Sequence, residues 1–144
     1  MMRKHLLPVL VMTGLILPGP ALACSCMRFD SARDHVDRTA VIFEGVAVET
    51  RKVADSPDSS MSQYARRTSF RVTRRWKGKV GETVAIDHSE AVCCICGVAF
   101  EPGKSYRIFA IRGNKGRLHT STCTAPRFDW AEYEAVLTGE NTDE

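Results

Sequence analysis

Thr68-Ser69-Phe70-Arg71-Val72-Thr73-Arg74-Arg75-Trp76 alternates with a period of two. Phe70, Val72 and Trp76 fall on one side, with Arg74 among them, and Arg71, Thr73 and Arg75 fall on the other. That is the pattern of a strand with one buried face. Lys77-Gly78-Lys79 follows as a turn. Upstream, Ala40 to Val48 (Ala-Val-Ile-Phe-Glu-Gly-Val-Ala-Val) is rich in β-branched residues and reads as a long first strand, with Gly45 marking a bulge or sharp bend. Residues 54–64 are polar and breaker-rich and read as a loop.

Downstream, Thr83 to His88 is a short strand with Val84 and Ile86 inward. Phe100-Glu101-Pro102-Gly103 is a turn. Tyr106 to Ile111 and Arg117 to Thr122 form a hairpin around Gly113-Asn114-Lys115-Gly116. A helix closes the chain. Asp129 is its N-cap with Glu132 three residues on, Trp130, Tyr133 and Leu137 share a face, and Gly139 ends it. Five strands and a terminal helix predict a mainly β fold, a small five-stranded barrel of the oligonucleotide/oligosaccharide-binding (OB) type with a C-terminal helix.

The first 23 residues read as an export signal. Met1-Met2-Arg3-Lys4 is basic, Leu6 to Leu17 is apolar, and Ala21-Leu22-Ala23 is an A-x-A cleavage signal. Twelve apolar residues are too few to span a bilayer, which needs about 20. Residues 1–23 are therefore expected to be a signal peptide and residues 24–144 one secreted or periplasmic domain with no transmembrane segment. Cleavage immediately before a cysteine also admits lipoprotein processing, although Ala21 stands where that signal prefers a larger aliphatic residue. The whole chain has a formal charge of +3, and losing Arg3 and Lys4 leaves +1. This argues against a nucleic-acid partner despite the cluster Arg66, Arg67, Arg71, Arg74, Arg75, Lys77 and Lys79, which reads as a solvated strand face or one attracting an acidic protein or polysaccharide. The expected state is a monomer.

All six cysteines (Cys24, Cys26, Cys93, Cys94, Cys96, Cys123) lie beyond the leader, and an even count in an oxidising compartment reads as a disulfide framework. Six cysteines allow 15 pairings, and spacing does not choose among them. Cleavage after Ala23 would make Cys24 the mature N-terminus, within Cys24-Ser25-Cys26.

The chain resembles the netrin-like module, and within it the N-terminal domain of the tissue inhibitors of metalloproteinases. The resemblance rests on Cys24-Ser25-Cys26; on Ser69 to Gly78; on Cys96-Gly97 followed by Phe100-Glu101-Pro102-Gly103-Lys104-Ser105-Tyr106; and on Leu118 to Cys123. It implies a netrin-like domain over 24–144 and the bridges Cys24–Cys96 and Cys26–Cys123. It further implies a secreted inhibitor of a zinc metalloprotease, in which the free amine and carbonyl of Cys24 chelate the target's catalytic zinc and Ser25 enters the adjoining specificity pocket. Cys24, Ser25 and Cys26 would form that inhibitory end, with no catalytic residue, cofactor or metal of the protein's own. The sequence departs from the family after Cys26, where Met27-Arg28-Phe29-Asp30 lacks its proline and histidine.

Two other readings stand beside this one. A netrin-like module can bind an extracytoplasmic protein without inhibiting anything, because function belongs to the site rather than the fold. Cys93 and Cys94 are not absorbed by the resemblance, and adjacent cysteines bridge poorly because their Cα atoms sit about 3.8 Å apart where a disulfide prefers about 5.5 Å. Shuffled pairing, free thiols and an intermolecular bridge remain alternatives. A soft-metal site for Cu(I) or Zn²⁺ built from the cysteines with His88 or His119 competes with a plain reading of disulfides plus surface-facing strand histidines. His35 reads as an ordinary residue. No Gly-rich phosphate loop, H-E-x-x-H or nucleophile elbow suggests an enzyme.

Overall fold

Two stretches are apolar at consecutive positions rather than alternate ones: Val41-Ile42-Phe43 and Ile108-Phe109-Ala110. Strands buried on both faces read this way. In the computed structural model, which describes residues 24–53, 62–92 and 95–139, these stretches lie where two cores meet. The expectations for the leader, for residues 54–61 and for Cys93 and Cys94 fall outside the described residues.

Strand β1 (Val41–Lys52) is flanked by β2 (Ala65–Lys77) and β4 (Ser105–Arg112), both antiparallel to it. Strand β3 (Thr83–Ser89) pairs antiparallel with β2. Strand β5 (Leu118–His119) joins β4 antiparallel and β3 parallel, the latter through Asp87 and His119. The order β1-β2-β3-β5-β4 closes on itself, so the fold is the expected mainly β, OB-like barrel. Helix α2 (Trp130–Thr138) follows as its C-terminal helix.

The barrel interior holds Val41, Phe43, Ala47, Phe70, Ile86, Ile108 and Ala110. A second core, outside the barrel wall, holds Ile42 and Phe109 from the strands and Tyr133 from α2. It also holds Ala32 and Val36 of α1 (Ala32–Arg38), a helix that the sequence analysis did not anticipate. Seven residues give too little periodicity to recognise. The local signal is Ser31, whose hydroxyl accepts from the Asp34 N–H at 3.1 Å as an N-cap.

Bulges correct the expected alternation of β2. The β1–β2 register shifts between Ile42 and Phe43, between Glu44 and Gly45, and between Ala47 and Glu49. Each odd shift exchanges the faces of the residues beyond it. Phe70 and Val72 therefore pack in the barrel, whereas Trp76 packs in the outer core against Trp130. Gly45 sits at one shift as anticipated. A Cβ there would meet the Arg71 carbonyl at 3.0 Å.

The second hairpin strand is shorter than expected, two residues instead of Arg117 to Thr122. Past Thr120, whose N–H still donates to the Asp87 carbonyl of β3 at 3.0 Å, side chains take over from the ladder. The Thr120 hydroxyl donates to the Phe109 carbonyl at 2.9 Å, and the Ser121 N–H donates to the Thr124 hydroxyl at 3.0 Å. The chain therefore curls, and that turn carries Cys123. Helix α2 matches its expected capping box at Asp129 and Glu132 and its Gly139 terminus, where φ is +76°.

The strand histidines are not surface-facing. Inward positions of β3 recur every second residue, so Val84 and Ile86 bring His88 inward with them. His88 is buried, its Nε2 lies 2.7 Å from the Thr68 hydroxyl, and that hydroxyl lies 2.7 Å from the Thr50 hydroxyl. His119 is half-buried. His35 is buried between the helices, 2.7 Å from the Tyr133 hydroxyl, and stacks on Phe29 at 4.0 Å.

Burial pushes all three imidazoles below their ordinary value of 6.5. The unfolded chain then binds more protons than the folded one as pH drops below that value. Stability contributed by neutral burial is complete above about pH 6.5 and is lost as pH falls through the depressed folded values. The thermal midpoint is therefore expected to decline from pH 7 to pH 5. The variant His88→Gln, which keeps a hydrogen-bonding group but does not titrate, should show a shallower decline; an unchanged pH profile would show that His88 contributes nothing to it.

Candidate functional site

Residues 24–29 form no helix or strand, yet they are held at two points. Cys24 is bonded to Cys96 and Cys26 to Cys123, with Cα separations of 5.6 and 5.0 Å. These are the pairs that the resemblance implies. Cys24 and Ser25 are exposed, and Cys26 is half-buried.

The receiving segments are themselves joined. The Thr122 N–H and hydroxyl both donate to the Cys96 carbonyl, at 3.0 and 3.2 Å. Thr122 is the neighbour of Cys123, so the partner of Cys24 and the partner of Cys26 lie on two loops hydrogen-bonded to each other. Behind Cys96 the chain passes hard against the end of β3. Cys96 adopts φ +52°, and a Cβ on Gly97 would fall 1.8 Å from the Glu90 carbonyl. Only glycine fits this crossing. The Val98 N–H then donates to the Ser89 carbonyl at 3.0 Å.

Beyond Cys26 the segment divides its side chains. Met27 is 59% exposed beside the two bridges, with its sulfur 2.8 Å from an Arg38 nitrogen. Phe29 turns back onto His35 and anchors the far end of the segment on the helix-side core. Next to the loops that receive the bridges lies a cavity of about 360 Å³, lined mainly by apolar groups including Val98, Phe100, Tyr106, Ile108 and Pro126. The site is thus an exposed dipeptide on a rigid base, flanked by an apolar recess.

Four of the six cysteines are consumed by the two bridges, so their sulfurs are not metal ligands. The Nε2 of His88 already faces Thr68, and its Nδ1 lies 3.1 Å from the Ser89 carbonyl. Among the described residues, no group of three or more His, Cys, Asp or Glu is arranged to hold a metal ion. No helix among them is long and apolar enough to cross a membrane.

The basic cluster does not form one patch. Arg66 pairs with Glu90, and Arg67 pairs with Asp87 at 2.5 and 3.0 Å. Arg75 donates to the Val80 and Gly81 carbonyls at 2.9 and 3.0 Å, and Lys77 donates to the Val36 carbonyl in α1. Arg71, Arg74 and Lys79 are exposed. Residues adjacent in sequence are dispersed by strand alternation and by the bulges. Sequence reasoning missed Gly97 and Thr122 as supports of the clamp, although Thr122-Cys123 and Cys96-Gly97 were both in view. Nothing local marks a hydrogen bond between residues 26 positions apart.

The clamp makes a direct prediction. Replacing Gly97 by Ala drives a side chain into backbone and should prevent correct closure of Cys24–Cys96, read as free thiol by alkylation and intact mass. Replacing Cys26 and Cys123 by Ser removes the bridge that spans 97 residues. Because Cys24–Cys96 remains, the ring lost runs through that bridge and is only about 30 residues round, so the cost in chemical denaturation should be about 3 to 4 kcal/mol.

A scan against protein-family models finds no match to this chain, and a comparison with curated proteins finds none either.

Proposed function

We propose that the chain is an exported, netrin-like inhibitor of a zinc metalloprotease, acting through the N-terminus that cleavage after Ala23 creates. The observation that carries this reading is the Cys24–Cys96 bond. It immobilises the one residue whose amine, carbonyl and side chain would all lie at the mature terminus. Chain ends ordinarily fray. An end held by its own side chain, with a second bridge two residues on, loses little further freedom when it docks, and that freedom is a principal cost of binding.

The chemistry follows from what a protease zinc offers. A catalytic zinc keeps one position for water. The amine nitrogen and carbonyl oxygen of Cys24 would form a five-membered chelate there and displace that water. The amine must be neutral to bind. A free α-amine has a pKa near 8, so the proton is lost at modest cost and metal binding shifts the equilibrium further. Ser25, exposed and small, would occupy the pocket beyond the zinc, and exposed Met27 would extend the contact. Localisation outside the cytoplasm is supported by the two disulfides, which persist in oxidising compartments.

The reading is tested at the terminus. One alanine added before Cys24 should raise the inhibition constant against a responsive zinc metalloprotease by about 100-fold or more, the loss of a two-atom chelate to the metal. The thermal midpoint should not change. Acetylating the terminal amine should act alike, and retained potency in either form would sink the chelation mechanism. Ser25→Arg should weaken inhibition by obstructing the pocket; an unchanged constant would mean that residue 25 does not enter it.

A further inference from the structure

Three strands place three charges in one row on the outer wall of the barrel. Glu44 of β1 is registered against Arg74 of β2 on one side and against Arg107 of β4 on the other. Each guanidinium lies over an indole. Arg74 is 5.0 Å from the ring centre of Trp76, and Arg107 is 4.2 Å from that of Trp130 at the start of α2. The two indoles meet edge-on at 4.7 Å. Arg107 also approaches Glu44 at 3.5 Å, and Arg74 approaches Glu134 of α2 at 3.9 Å.

Stacking occupies the faces of the guanidinium groups and leaves their in-plane N–H forks at the edge, the geometry that recognises carboxylates. The two carboxylate contacts lie at or beyond the limit of a hydrogen bond, so they orient the arginines without saturating their donors. The Arg74 and Arg107 side chains remain 61% and 46% exposed. An open depression bounded by Glu44, Ser105, Tyr106 and Arg107 adjoins the row.

We propose that the Arg74–Glu44–Arg107 row, backed by Trp76 and Trp130, docks a helix of a partner protein that presents acid, base and acid along one stripe. The charge order plus, minus, plus demands the complementary order in the partner. Neighbouring strands lie about 4.8 Å apart, which puts the two arginine positions about 10 Å apart across β1. Positions i and i+7 of a helix are about 10.5 Å apart on one face, with i+3 between them. A uniformly anionic polymer would set a negative charge against Glu44. A sugar or base would find the indole faces already covered by guanidinium. Both features favour a charged helix over a polysaccharide or a nucleic acid.

The chain contains two tryptophans, and both belong to this face, so its tryptophan emission reports on the face alone. The probe is a synthetic helical peptide carrying Glu, Lys and Glu at i, i+3 and i+7, titrated at low salt into the mature chain. A saturable emission change is expected. Replacing both peptide Glu by Gln, or making Arg74→Gln with Arg107→Gln, should raise Kd by about tenfold or more, since charge-assisted pairs are lost. The triple variant Arg74→Glu, Glu44→Lys and Arg107→Glu, which inverts the whole row, should instead select a Lys-Glu-Lys peptide, which a merely structural role for the arginines would not produce. Equal binding of the neutral peptide, no binding at about 1 mM peptide, or tighter arginine-dependent binding of a sulfated oligosaccharide would overturn the proposal. The chain extended by alanine before Cys24 should bind the peptide unchanged, which separates this face from the inhibitory terminus.

Discussion

The exposed segment Cys24-Ser25-Cys26 is held by covalent bonds to two loops that are also hydrogen-bonded to each other. Cys24–Cys96 and Cys26–Cys123 supply the bonds, and Thr122 ties one loop to the other through the Cys96 carbonyl. Each part requires another part of the fold. The loop at Cys96 reaches its place because Gly97 crosses the end of β3 where no side chain fits. The loop at Cys123 reaches its place because β5 ends after two residues and Ser and Thr side chains turn the chain. The ending of β5 is thus tied to the site, since a longer ladder would carry Cys123 along the barrel instead of toward Cys26.

The barrel wall is built from residues buried on both sides. Val41, Phe43, Ile108 and Ala110 face the interior, while Ile42 and Phe109, lying between them in sequence, face the helices. The outer core places α1 and α2 against the wall and brings His35 within reach of Tyr133. Phe29 stacks on that histidine, so the segment following the two bridges is packed at its far side too. The segment 24–29 is therefore coupled to both cores, to the barrel through the bridges and to the helices through Phe29.

The outer wall carries a second organised surface of different character. The Cys24–Cys26 segment is short and covalently fixed. The arginine row is broad, held by stacking and charge, and suited to a partner of alternating sign. Trp76 reaches it only because bulges exchange the faces of β2, and Arg107 enters it from a strand about 30 positions away in sequence.

Local pattern determined much of this protein. Alternation located β2 and β3, turn residues located the connections, and the Asp129–Glu132 box with Gly139 located α2 almost to the residue. These signals are legible because hydrogen bonding and burial over a few residues repeat with the period of the element. Helix α1 escaped because seven residues hold too few turns to show a period, and His88 escaped because a polar residue at an inward position looks like any surface residue until Thr68 is placed opposite it. The cysteine partners, the face taken by Trp76, the Gly97 crossing and the grouping of Arg74, Glu44 and Arg107 were decided only by tertiary structure. Each depends on contacts between residues far apart in sequence, and strand register together with the bulges that shift it sets those contacts; no local period encodes them.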